Sequence, residues 1–156
     1  MKITVVDSQK ALAISRPSVK KVVLATLDFL QIKTDEVIVH FIDKAAICAL
    51  HESFFNDPTP TDCISFPIDY PYEESGKHHL LGEVFVCPEV AVEYARTKNK
   101  DPYAETTLYL IHGLLHLAGY DDLQAAERRK MRAMERRCLE KKEVLLECVQ
   151  KNLSKF

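Results

Sequence analysis

The chain has 156 residues, of which 47% are apolar and 28% charged, with a formal net charge of −2. That length predicts one domain with room for a core, and the composition excludes a disordered chain. No apolar run approaches the roughly 20 residues of a membrane span, and the apolar part of the N-terminus is too short for a signal peptide. Five cysteines (Cys48, Cys63, Cys87, Cys138 and Cys148) form an odd set without a C-x-x-C pair. Such a set predicts reduced thiols in a cytoplasmic protein, not a disulfide framework or a zinc ribbon.

In chain order, residues 3–6 predict a short strand. Ser15 and Pro17 open an amphipathic helix to about Gln31, with Val19, Val22, Val23, Leu27 and Leu30 on one side. Residues 37–42 are nearly continuous apolar, the pattern of a strand covered on both faces. Asp43 is placed to cap a helix from Lys44 to about Phe55, and the prolines of residues 56–61 make a loop. Residues 63–66 predict a strand stopped by Pro67, residues 68–79 an exposed loop, and residues 80–87 another strand. Pro88 starts a helix to about Lys98, Asp101-Pro102 opens the next, and a last helix follows Asp121. The expected fold is α+β: a single domain over residues 1–156, with one small mixed sheet and about five helices.

Charge is uneven along this order. Residues 51–105 hold four basic and eleven acidic groups, whereas residues 106–156 hold ten basic and seven acidic. Residues 128–142 pack eight Lys and Arg against only Glu135 and Glu140. A helix this basic can contact phosphates; a solvated helix face is the plainer reading.

The informative stretch is His112-Gly113-Leu114-Leu115-His116-Leu117-Ala118-Gly119-Tyr120-Asp121-Asp122. Histidines four apart project from one face of a helix. The rest of that helix is apolar nearly all round, so it is a buried helix, and buried imidazoles need partners. Gly119 supplies a left-handed stop that turns the chain back. The turn can bring Asp121 or Asp122 to the histidines as a third ligand, and two His plus Asp with an open position suits a catalytic metal, zinc first. The aspartates also have a capping role open to them, with Asp121 at the N-cap and Gln124 three residues on. Gly113 stands where HExxH metalloproteases carry their general base, which disfavours proteolysis. Glu127 shares a helical stripe with Met131, Met134 and Cys138; it can hold a ligand imidazole or simply favour the helix dipole. Thr61, Asp62 and Ser65 cluster at a strand start, where turn chemistry is the plainer reading. His51, His78 and His79 carry no site-marking spacing and are expected in solvent, and His40 is expected to be a satisfied core residue.

HGLLHLAGYDD resembles the HGxLHLxGYDH signature of the YbeY family of metal-dependent endoribonucleases, the 16S ribosomal RNA maturation factors. The segment Pro60-Thr61-Asp62-Cys63-Ile64-Ser65-Phe66-Pro67 resembles the family's PTDVLSFP, and Leu81-Gly82-Glu83-Val84 its LGDI. Glu127 and Met131 fall where the family places a Glu and a Met. The resemblance spans roughly residues 36–135. It implies one zinc ion on His112, His116 and Asp122 and a four-stranded sheet with packed helices. It also implies single-stranded RNA as substrate, 16S rRNA and the ribosome as partners, and no role for DNA or membranes. Thr61, Asp62 and Ser65 then become a groove wall near that RNA. Two departures stand out. Asp122 replaces the family's third His, which zinc accepts. Phe55 replaces a loop Arg, and the candidates to take over its phosphate contact, if the basic helix lines the groove, are Arg128, Arg129 and Arg132; Phe55 itself can stack a base. Three readings follow: a zinc-dependent endoribonuclease, a ribosome-associated RNA-binding protein with a mainly structural metal, and a metallohydrolase of another substrate.

Overall fold

A computed structural model of the chain describes residues 1–74, 76–141 and 144–149; Ser75 of the expected loop and Lys142 of the basic run lie outside these. Four strands, β1 (Lys2–Asp7), β2 (Glu36–Phe41), β3 (Cys63–Pro67) and β4 (Leu80–Val86), form one mixed sheet in the order β1-β2-β4-β3. The first three neighbours in that order run parallel and β3 is antiparallel to β4. Five helices accompany them among the described residues: α1 (Arg16–Phe29), α2 (Lys44–Phe55), α3 (Pro88–Lys98), α4 (Pro102–Leu117) and α5 (Ala125–Leu139). This is the expected α+β architecture.

The caps explain where several helices begin. Ser15 Oγ accepts from Ser18 N at α1, Asp43 Oδ1 from Ala46 N at α2, and Asp101 Oδ1 from Tyr103 N at α4, each removing one orphan donor of a first turn. The last helix is the exception: its N-cap is Gln124, without a side-chain bond, so Asp121 does not head a capping box. Instead Asp121 Oδ1 accepts the backbone N–H of Asp122 at 2.7 Å.

The main core lies between one face of the sheet and α1, α4 and α5. It holds Val37, Val39 and Phe41 of β2, Val84 and Val86 of β4, and Leu110, Ile111, Leu114 and Leu115 of α4. Because β2 alternates buried and half-buried positions, it is covered on one face only, contrary to the expectation from its apolar run. Its second face carries Ile38 and His40, while α2 covers the β3–β4 half of that face through Ile47 and Leu50 against Ile64 and Phe66. His40 stacks on Phe85 at 4.1 Å with its buried Nε2 unbonded and Glu83 Oε1 3.6 Å away, so it is not a hydrogen-bonded core residue. His79, expected in solvent, is buried between Thr34 Oγ1 and the Tyr70 carbonyl, both at 2.8 Å. The last described residues return to the helices: Leu146 N donates to Thr107 Oγ1, Glu147 N to Ser18 Oγ, and the Glu147 carbonyl accepts from Ser15 N.

Candidate metal centre

Helix α4 lies against β3 and β4, and Gly113 is the residue that lets it approach. A Cβ there would sit 2.4 Å from Val84 Cγ1, so only glycine fits. Ser65 Oγ donates to the Gly113 carbonyl at 2.9 Å, tying β3 to the helix between the two histidines. The helix ends at Leu117, with Ala118 as its C-cap. Gly119, at φ +99°, reverses the chain, with its own N–H donating to the His116 carbonyl and Tyr120 N–H to that of Leu115, a Schellman pairing that satisfies the last carbonyls. The reversal carries Asp122 back over α4.

Three donor atoms converge as a result. His112 Nε2 and His116 Nε2 are 3.1 Å apart, and Asp122 Oδ2 lies 3.3 Å from the first and 3.7 Å from the second. Ligands roughly 2.0–2.2 Å from a tetrahedral zinc are about 3.3–3.6 Å from one another, and the edges of this triangle lie within about 0.2 Å of that range. The other nitrogen of His112 is committed: Nδ1–H donates to Glu135 Oε1 of α5 at 2.6 Å. A carboxylate can only accept, so the hydrogen is on Nδ1 and the Nε2 lone pair faces the triangle, the arrangement metal-binding histidines use. Burial opposes a charge on His112, but the hydrogen bond and charge of Glu135, with Asp62 and Asp122 behind it, outweigh that and raise its proton affinity above the ordinary histidine value. Burial pushes the Cys63 thiol well up, and Asp62, Asp122 and Glu135 push it further.

The carboxylate that orients His112 is thus Glu135, which sequence reasoning missed, and not Glu127. Glu127 is half-buried in a separate small pocket beside Gly119, Tyr120 and Asp121, with a buried Oε2 that has no hydrogen-bond partner. Two cavities flank the triangle and share Asp122. The larger, about 570 Å³, is lined by His51, Phe55, Thr61, Cys63, Ser65 and His116 together with residues 119–123. Phe55 is 56% exposed at its edge. The smaller, about 230 Å³, is lined by Asp62, Tyr109, His112, Arg128, Arg132 and Glu135, among others. Arg128 also donates from one guanidinium nitrogen to the Leu123 carbonyl at 2.9 Å and to that of Asp122 at 3.4 Å, bracing the loop that carries Asp122. Arg129 is exposed and lines neither cavity.

The family model for Endoribonuclease YbeY matches residues 4–143. The chain belongs to the YbeY family. It is 51% identical over 118 residues to the Endoribonuclease YbeY of Protochlamydia amoebophila, covering 76% of this chain and 77% of that one. Over 142 residues it is 39% identical to the Chlamydia felis protein of the same name, covering 89% of each. Its fold is similar to a solution structure of a Thermotoga maritima protein, with a TM-score of 0.62, 25% identity, and coverage of 92% of this chain and 89% of that one. Among the described residues, His112, His116 and Asp122 are the group of YbeY-motif side chains whose donors meet closely enough to share an ion.

Proposed function

We propose that this YbeY-family chain acts as a single metallohydrolase domain: a metal-dependent endoribonuclease that cuts single-stranded RNA. The observation that carries the reading is the triangle of His112 Nε2, His116 Nε2 and Asp122 Oδ2, two of whose members, His116 and Asp122, line a cleft of about 570 Å³. The donors suit zinc, and the carboxylate also admits harder ions such as manganese. Such an ion supplies Lewis acidity, acidifying water and polarising phosphoryl oxygens. The protein's own part is to hold the donors: Glu135 fixes the His112 tautomer, Arg128 braces the loop of Asp122, and Ser65 pins α4 to the sheet. Phe55 at the edge of the cleft can stack a base, Thr61 and Ser65 line its wall, and Asp62 lies on the far side of the triangle.

The names of the relatives support RNA cleavage; the family resemblance extends it to 16S rRNA 3′-end maturation and ribosome quality control in the cytoplasm. No described helix is long and apolar enough to cross a membrane. The test is cleavage of a single-stranded RNA by zinc-loaded protein, by chelator-treated protein and by His112→Ala. Cleavage by the first alone is expected. RNA binding and ribosome co-sedimentation without cleavage would instead favour a binding protein with a structural metal, a reading to which the absence of Lys and Arg from the cleft lining gives some weight.

A further inference from the structure

The large cleft contains a second histidine that the metal triangle does not use. His51 stands on α2 one helical turn before Phe55, whose ring it meets at 5.7 Å, and its side chain is 19% exposed. Its Nδ1 lies 2.7 Å from the Thr59 carbonyl oxygen. A carbonyl only accepts, so Nδ1 keeps a hydrogen and Nε2 is the nitrogen that gains or loses one. Asp57 Oδ2 is 3.9 Å from Nε2, too far to bond it. The other oxygen of Asp57 is occupied by Thr59 N and Oγ1, which fixes the carboxylate in place. The remaining titratable groups of the cleft are Cys63, His116, Tyr120, Asp121 and Asp122. None of the lining residues is Lys or Arg, so once His116 is committed to the ion, His51 is the lining side chain left to offer a phosphodiester an N–H.

Resting on the endoribonuclease reading, we propose that His51 is a catalytic residue: the proton donor, from Nε2, to the ribose oxygen that leaves. In the step, a water oxygen forms a bond to phosphorus and the bond from phosphorus to the leaving ribose oxygen breaks. That oxygen keeps the electron pair and takes the Nε2 proton. The water oxygen remains on the phosphate as hydroxyl, its second proton goes to solvent, and neutral His51 is reprotonated from solvent. An alkoxide is a poor leaving group without such a proton, and a positioned donor contributes typically 10²–10⁴-fold.

The experiment compares two substrates. His51→Gln retains an N–H for the Thr59 carbonyl but cannot surrender a proton. Single-stranded RNA cleavage by this variant should fall about 10²–10⁴-fold. Hydrolysis of bis(p-nitrophenyl) phosphate, whose leaving group needs no proton, should fall by less than about tenfold. Equal losses on both substrates, or no loss on RNA, would overturn the assignment. An unchanged thermal midpoint in His51→Gln and His51→Asn shows that folding is intact. A readout independent of turnover is the nitrogen resonance of His51 Nε2 in zinc-loaded protein at pH 7. A cleavage-resistant phosphorothioate oligoribonucleotide should move it toward the protonated position, and a resonance that stays put at saturation overturns the contact. If wild-type protein cleaves neither substrate, the endoribonuclease reading fails by itself and the resonance alone decides whether His51 meets RNA.

Discussion

His112 is held at both of its nitrogens, and the partner on the protein side sets how well the other can bind an ion. Replacing Glu135 by Gln removes the charge that orients and enriches the imidazole, and losses of this kind cost about 10–100-fold in metal affinity. A chelator-competition titration of Glu135→Gln against wild type measures it. The same contact fixes a pH dependence. In the metal-free protein the proton affinity of His112 is raised, so its contribution to stability is complete below the unfolded value of about 6.5 and is lost as pH rises through the folded one. An ion must displace that proton, so metal affinity should climb with pH over the same window. In Glu135→Gln the climb should shift to lower pH, as zinc titrations at stepped pH would read. The histidines were legible in the sequence because their four-residue spacing lies on an otherwise apolar helix. Glu135 was not, because it is 23 residues away on another helix. It also shares its helical stripe with Glu127, two turns earlier, and only the crossing of α5 over α4 decides which of the two meets the imidazole.

At the scale of elements, the site is a seam between α4, β3 and α5. Adding a methyl group at Gly113 drives it into Val84, and overpacking of this kind costs about 1–3 kcal/mol. Gly113→Ala should therefore lower the urea midpoint and weaken metal binding together, since the helix can relieve the clash only by leaving Ser65. The start of α5 separates two arginines that look alike in sequence. Arg128→Ala removes the brace on the Leu123 and Asp122 carbonyls and should lower metal affinity. Arg129→Ala should leave metal affinity unchanged and only reduce salt-sensitive RNA binding. Parallel metal and RNA titrations of both variants check this. Helix starts were readable where Ser15, Asp43 and Asp101 cap them. At α5 the aspartates looked like a cap but are taken up by the loop, with Asp121 holding the Asp122 amide and Asp122 facing the histidines.

Across the whole molecule, the candidate ion site joins α4 to the loop that follows it, with Glu135 of α5 behind, and an ion bound to the folded state alone adds stability by mass action. Free zinc at 100 times its dissociation constant contributes about 2.7 kcal/mol. For a chain of this size that is about 5–10 °C in melting temperature. Calorimetry before and after chelation should show such a loss in wild type and almost none in His116→Ala. The mixed sheet with helices was foreseeable from the order of elements, but the side of the sheet left open was not. An apolar run such as residues 37–42 does not say whether both of its faces find a helix, and here Ile38 and His40 remain only half-covered.

The return of residues 144–147 to Ser15, Ser18 and Thr107 has a consequence for the order of events during synthesis. While a ribosome still holds those residues, the Thr107 hydroxyl and the Ser15 amide lack their closing partners, and α1 and α4 have not been latched from behind. Domains generally fold as units once their segments are available. Stable metal uptake by a growing chain is therefore expected only after residues 144–147 have reached Ser15, Ser18 and Thr107.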